Sequence, residues 1–221
     1  MMNAPMIVLE GLDAAGKTTV QNAAEEVLRS QYRDLVVTRE PGGTPVGERL
    51  RELLLTPDIV MGDLTETLLM LASRSDHFEQ VIKPHLVAGD PVLCSRFMLS
   101  TLAYQCAGRG ISFGMVQSMH RMILEGFQPD LTIIIDVPPA VSRERLERHG
   151  ELDRIEHDAD LEFSARVRDF MLGWSKHEAP LRSLVVDGTL DPESVRDQVI
   201  AAVQSTIQQF HAEDTRAGRP T

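Results

Sequence analysis

Short apolar runs alternate along the chain with longer segments whose apolar residues recur every three or four positions. The runs at 6–9, 35–38, 91–95, 131–136 and 184–187 are rich in Val, Ile and Leu and are bounded by turn-forming or charged residues. Runs of that length and composition predict buried strands. Between them, Val20, Ala23, Ala24, Val27 and Leu28 share one helical face within 19–29. Helical spacing also predicts helices from Pro45 (stripe Val46, Leu50, Leu53, Leu54), over 63–88 (Leu64, Leu68, Leu71, Phe78, Val81, Ile82, with a bend at Pro84), over 113–125, 139–149, 163 to about 178, and 192–210. A helical turn is expected at 100–106, and loops at 39–44, 56–62 and 108–110. Regular alternation of strand and helix predicts an α/β fold, a five-stranded parallel sheet with helices on both faces. The segment 143–160 is charged and, past Gly150, short of apolar residues; it reads as a short mobile lid. With no internal repeat or linker, 1–211 is expected to be a single domain and 212–221 a polar C-terminal tail.

Composition narrows the classes. The 221 residues carry 22 basic and 33 acidic side chains, a net charge of −11, which argues against a nucleic-acid partner. No apolar run approaches eighteen residues, and the first residues lack a basic start and a long apolar stretch. The expectation is a cytoplasmic chain with no membrane partner and no signal peptide. Cys94 and Cys106 form no zinc pattern and are expected to be buried thiols.

The chemistry starts at the first strand. Gly11-Leu12-Asp13-Ala14-Ala15-Gly16-Lys17-Thr18 is a G-x-x-x-x-G-K-T phosphate loop between a strand and a helix, the context that gives the motif its meaning. Backbone N–H groups from Gly11 to Thr19 would cradle ATP phosphates, Lys17 would reach the β- and γ-phosphates, and the Thr18 hydroxyl would hold Mg²⁺. Strand ends carry Glu10, Arg39-Glu40, Ser95-Arg96, Asp136 and Asp187. The first three groups are expected to share the ligand cleft at the carboxyl ends of the strands. Asp136 and Asp187 read as turn or cap residues. Arg39, Arg74 and Arg96 at the cleft, with Arg143, Arg145, Arg148 and Arg154 in the charged segment, are candidates to hold phosphate oxygens.

Four motifs carry a resemblance that covers about 6–210. They are the phosphate loop, Thr38-Arg39-Glu40-Pro41-Gly42-Gly43-Thr44, Ser100-Thr101-Leu102-Ala103-Tyr104-Gln105 with Gly108-Arg109-Gly110, and Gly150-Glu151-Leu152-Asp153-Arg154-Ile155-Glu156. Together they resemble the thymidylate kinase family of P-loop nucleoside-monophosphate kinases, which transfer phosphate from ATP to dTMP and usually form homodimers through helices. The resemblance implies that Arg39 and Arg96 hold the acceptor phosphate and that Arg74 meets the thymine carbonyl edge. It implies that Met70, Ser100, Thr101 and Gln105 line the base site, with Tyr104 and Asp13 beside the deoxyribose. Some family members carry a basic residue in the phosphate loop and others supply the catalytic arginine from the lid; with Ala14 and Ala15 uncharged, the resemblance implies the lid type, with Arg154 and either Arg145 or Arg148.

Three positions depart from the family pattern. Ser95 stands where the family has Asp, Met70 where it usually has Phe, and His149 where an Arg usually precedes the glycine. Two alternatives therefore stay open beside a dTMP kinase: a kinase for a modified or different deoxypyrimidine monophosphate, and a nucleotide-binding protein with weak catalysis.

Overall fold

The computed structural model describes residues 2–177 and 182–216, without the side chains of His149 and 213–216. The five expected strands are present: β1 (Met6–Gly11), β2 (Val36–Arg39), β3 (Val92–Ser95), β4 (Leu131–Asp136) and β5 (Ser183–Asp187). They form one parallel sheet in the order β2-β3-β1-β4-β5. β1 is buried along its whole length. Its alternate residues feed separate cores: Ile7 and Leu9 join one, Met6 and Val8 the other. That split is the period-two geometry of a strand with helices on both faces.

Helix ends follow local chemistry. α1 (Lys17–Gln31) starts after Gly16, which sits at φ 107. α2 (Pro45–Leu55) has Pro in its first turn, and the Thr44 side chain accepts from Gly47 N, a strong start signal. α3 (Asp63–His77) continues through a π-helical turn (Phe78–Ile82) into α4 (Lys83–Ala88), which ends at Gly89 in the left-handed region. The irregularity expected at Pro84 is thus a π-turn just before it. α5 (Met98–Thr101) likewise runs on as a π-helical turn (Leu102–Gly108), longer than the single turn expected. α6 (Phe113–Ile123), α7 (Pro139–His149), α8 (Arg154–Asp158), α9 (Leu161–His177) and α10 (Pro192–Arg216) follow. Asp153 and Glu156 cap α8 reciprocally. The expected end of α9 near Glu178 and the last five residues of the tail lie outside the described residues.

Of the two expected apolar stripes, Leu54 on α2 and Leu71, Phe78 and Ile82 along α3 and its π-turn are buried as expected, but four residues are not. Val46 and Leu53 on α2, and Leu64 and Leu68 on α3, are exposed, between 39% and 55%. The inward face of α3 instead carries Glu66, Thr67, Ser73, Arg74 and His77 beside Leu71. These polar groups can be buried because they pair with one another and with neighbouring elements, as described below. Cys94 is buried, whereas Cys106 is partly exposed; both are free thiols.

Candidate active site

A cleft opens at the carboxyl ends of β1, β2 and β3. Asp13, Glu40, Arg51, Met70, Arg74, Arg96, Ser100, Thr101, Tyr104, Gln105, Asp153 and Glu156 all contribute to its wall. Its wall is dense in paired charge.

The phosphate loop forms one side. Gly11 has φ 138, and a Cβ there would lie 2.5 Å from the Ile135 carbonyl oxygen, so only glycine fits. Ala14 (φ 52) and Gly16 (φ 107) turn the backbone into the left-handed region on either side of Ala15. The N–H groups of Ala14, Gly16, Lys17 and Thr18 make no hydrogen bond to protein among the described residues. Alternating dihedrals with unengaged donors at a helix N-terminus form an anion cradle, so the loop fits nucleotide phosphates. Lys17 Nζ donates to the carbonyls of Gly11 (3.2 Å) and Leu12 (2.7 Å), which holds it across the loop. Burial and the nearby Arg96 charge push its pKa down to about 7. Thr18 and Thr19 are exposed at the start of α1. Among the described residues no cluster of three or more His, Cys, Asp or Glu is placed to hold a metal ion.

Arg96 lies at the centre. It follows β3 with φ 66, an uncommon conformation for a residue with a side chain, and its N–H donates to Leu9 O at 2.8 Å. Its guanidinium pairs with Asp13, donates to Ser100 Oγ (3.1 Å) and Tyr104 OH (3.3 Å), and sits over the Tyr104 ring. Tyr104 donates to Asp13 Oδ2 at 2.9 Å. Burial opposes charge on both Arg96 and Asp13, yet their mutual attraction outweighs it: Arg96 is held above its usual pKa and Asp13 below. Beneath them Glu10, fully buried, accepts from Phe97 N (2.9 Å), Ser100 N (3.1 Å) and Ser100 Oγ. Burial raises its pKa.

The far end of the cleft is built from α3. Arg74 Nε donates to Glu40 (2.7 Å), Nη1 to Thr101 Oγ1 (2.8 Å), and Nη2 to the Phe97 carbonyl (2.9 Å). Glu40 also accepts from His77 Nδ1 (3.0 Å), whose Nε2 meets Thr38 Oγ1 (2.8 Å). Gly43 packs directly on that imidazole; a Cβ there would lie 2.5 Å from it. The Arg-Glu-Pro-Gly-Gly-Thr loop is thus clamped to α3. Two turns before Arg74 on α3, buried Glu66 accepts from Gln105 (3.0 Å), Arg109 (2.9 and 3.2 Å) and Arg154 (2.7 Å).

Several candidates lie elsewhere. Arg39 does not line the cleft; it is 54% exposed and pairs with Glu48 at 3.0 Å. Arg51, which the apolar pattern gave no reason to single out, lines it instead and donates to Pro41 O at 3.0 Å. Arg154 is buried under the cleft, bonded to Leu54 O and Glu66. Arg148 is 71% exposed and pairs with Glu144, and the His149 side chain lies outside the described residues. Arg145 is the lid-segment arginine against the phosphate loop, donating to Ala15 O (3.3 Å) and Gly188 O (3.0 Å). Asp136 pairs with Arg168, and Asp187 caps a turn through Thr189, so both have structural partners. Asp153 and Glu156 also face the cleft, with pKa values raised by burial. In the sequence they stand within the Gly150-to-Glu156 motif, where the resemblance gives them no role.

Residues 9–199 match the family model described as thymidylate kinase. The chain is 42% identical over 197 residues to a thymidylate kinase of Deinococcus radiodurans, covering 89% of this chain and 95% of that protein. It is 41% identical over 204 residues to one of Hahella chejuensis, covering 91% and 96%. The crystal structure of thymidylate kinase from Ehrlichia chaffeensis superposes with a TM-score of 0.73 at 33% identity, covering 91% of this chain and 99% of that one.

Proposed function

The chain belongs to the thymidylate kinase family, and on that footing we propose how its cleft moves a phosphoryl group from ATP to dTMP. The protein phosphorylates dTMP to dTDP. The observation that carries the residue assignments is the juxtaposition of the phosphate loop with Arg96, through Asp13, in one cleft.

The loop amides and Lys17 bind the donor phosphates. The Thr18 hydroxyl would hold Mg²⁺, which when bound would supply positive charge to the transferred group. Arg96 and Arg51 hold the acceptor phosphate, with Arg39 available from the rim. An oxygen of that phosphate attacks the γ-phosphorus, the bond to the β–γ bridging oxygen breaks, and ADP leaves. A monoester phosphate has a second pKa of about 6, so the acceptor is largely dianionic at neutral pH and needs no strong base. Catalysis is then positioning and charge stabilisation. Arg145, already against the loop, with Arg148 on the same helix, supplies the lid's positive charge, while Arg154 anchors the lid through Glu66.

Acceptor choice follows from the far end. Four of the five Arg74 N–H groups are committed within the protein. The fifth meets a pyrimidine carbonyl and finds no acceptor on an amino group. Tyr104, fixed by Asp13, lies against the sugar and leaves little room for a 2′-hydroxyl. Met70, half-buried, packs against the base. A second copy of the chain would cover the exposed Leu64 and Leu68 on α3, giving a homodimer. The free thiols suit a reducing compartment such as the cytoplasm. Incubation with ATP, Mg²⁺ and dTMP is expected to yield dTDP and ADP in equal amounts; ADP without dTDP would overturn the assignment of the acceptor site.

A further inference from the structure

The fourth bond to Arg74 comes from a residue that no motif marks. His120, on α6, is 2% exposed, and its Nε2 lies 2.6 Å from Arg74 Nη1. A guanidinium has donors only and stays protonated in proteins. A ring nitrogen at that distance must therefore present its lone pair, which leaves the proton on Nδ1. The ring is neutral: burial and the Arg74 charge together push its pKa down to about 2. Nδ1 is the one buried side-chain nitrogen or oxygen among the described residues with no hydrogen-bond partner. The imidazole thus makes a single polar contact, and that contact is Arg74. An apolar side chain of similar size would strand no N–H; what the imidazole adds is an acceptor for the guanidinium.

We infer that His120 is a positioning residue for acceptor recognition: it fixes, through Nη1, the direction in which Arg74 presents its remaining N–H to the base. Nη1 has two hydrogens and two acceptors, Thr101 on α5 and His120 on α6. With Glu40 and the Phe97 carbonyl holding Nε and Nη2, the guanidinium plane is determined from three sides. Without His120 one buried N–H of a charged group loses its partner, and the plane can tilt to find another. The consequence falls on the base end of the cleft and leaves the phosphate loop untouched. The inference rests on the dTMP kinase reading above.

Steady-state kinetics on the full chain, varying dTMP and ATP separately, test it with His120→Leu and His120→Gln. Glutamine can place its amide oxygen where Nε2 stood. His120→Leu is expected to raise KM for dTMP about tenfold, the scale of a hydrogen bond to a charged group. KM for ATP should stay unchanged, with kcat within about twofold, as for an interaction present equally before and during reaction. The preference for dTMP over dCMP should narrow, and His120→Gln should recover most of both losses. An unchanged KM for dTMP, an equal rise in both KM values, or a glutamine variant no better than leucine would overturn the inference. ¹⁵N chemical shifts of the wild-type histidines provide a check independent of variant folding: His120 is expected to show a bare Nε2, and a proton on Nε2 would overturn the bond to Arg74. Failure of the wild-type protein to turn over dTMP would instead refute the kinase reading, and the ring-nitrogen shifts separate that result from this one.

Discussion

Replacing Glu66 by leucine removes a carboxylate that three elements share. Glu66 is 1% exposed and meets Arg154, Arg109 and Gln105. Breaking a buried pair by removing one partner typically costs about 3–5 kcal/mol, because the other charge stays buried. Arg109 is 15% exposed and keeps Asp63 at 3.5 Å and Asp158 at 3.7 Å, so its share is moderated. Arg154 is 7% exposed and keeps only the Leu54 carbonyl and Asp158 at 3.9 Å. The lower end, about 3 kcal/mol, is therefore expected. For a chain of this size that is a fall in Tm of roughly 6–12 °C. The assay is urea unfolding of wild type, Glu66→Leu, Arg154→Leu and the double variant. The double should be well above the sum of the singles, with a coupling of about 2 kcal/mol, since removing both charges is far less costly than stranding one. Additive losses, or a single-variant loss under about 1 kcal/mol, would refute the buried-network argument. The pH dependence has a definite sign. Burial alone would raise Glu66, but its bonds from Gln105, Arg154 and Arg109 hold it below its usual 4.5. Its contribution is therefore complete above that value and is lost as pH falls through the lower folded pKa. The gap between wild type and Glu66→Leu should shrink on acidification.

Three other outcomes are expected. Lys17, at about 7 without nucleotide, gains a proton when phosphates bind, so ATP binding at pH 8 should take up protons and weaken as pH rises; calorimetry in buffers of different ionisation enthalpy reads this, and zero uptake would contradict it. Glu10 and Asp13 are each held by partners of their own, so neither is placed to stand in for a carboxylate at residue 95. Ser95→Asp should therefore raise kcat, and an unchanged or lower value would mean the site is built around serine. Leu64→Glu with Leu68→Glu should convert a dimer to a monomer in sedimentation; a dimer surviving both charges would place the interface elsewhere.

The strands and the phosphate loop were legible because their signals are local. A buried parallel strand reads as a continuous apolar run, and G-x-x-x-x-G-K-T between strand and helix leaves few alternatives. The inward face of α3 was legible only in Leu71 and Arg74. Periodicity pointed to Leu64 and Leu68, but buried groups such as Glu66, Arg74 and His77 are tolerable only through partners on β2, α5, α6 and α8, far away in sequence. The same gap hid Arg51 and His120: nothing within their own helices distinguishes them from solvated polar residues. It also drew attention to Arg154 as a lid cation, although its partner Glu66 is 88 residues away and holds it under the cleft.

Acceptor selectivity tests the central claim most directly. With ATP and Mg²⁺ saturating, kcat/KM would be measured for dTMP, dUMP, dCMP, ribothymidine monophosphate and dAMP on one preparation. If, as proposed, one Arg74 N–H meets a base carbonyl, Tyr104 lies against the sugar and Met70 packs on the base and its methyl, dTMP should come first, dUMP behind it, and dCMP and the ribonucleotide far below. A preference for dCMP, dAMP or the ribonucleotide, or nucleotide binding without turnover of any acceptor, would contradict the account.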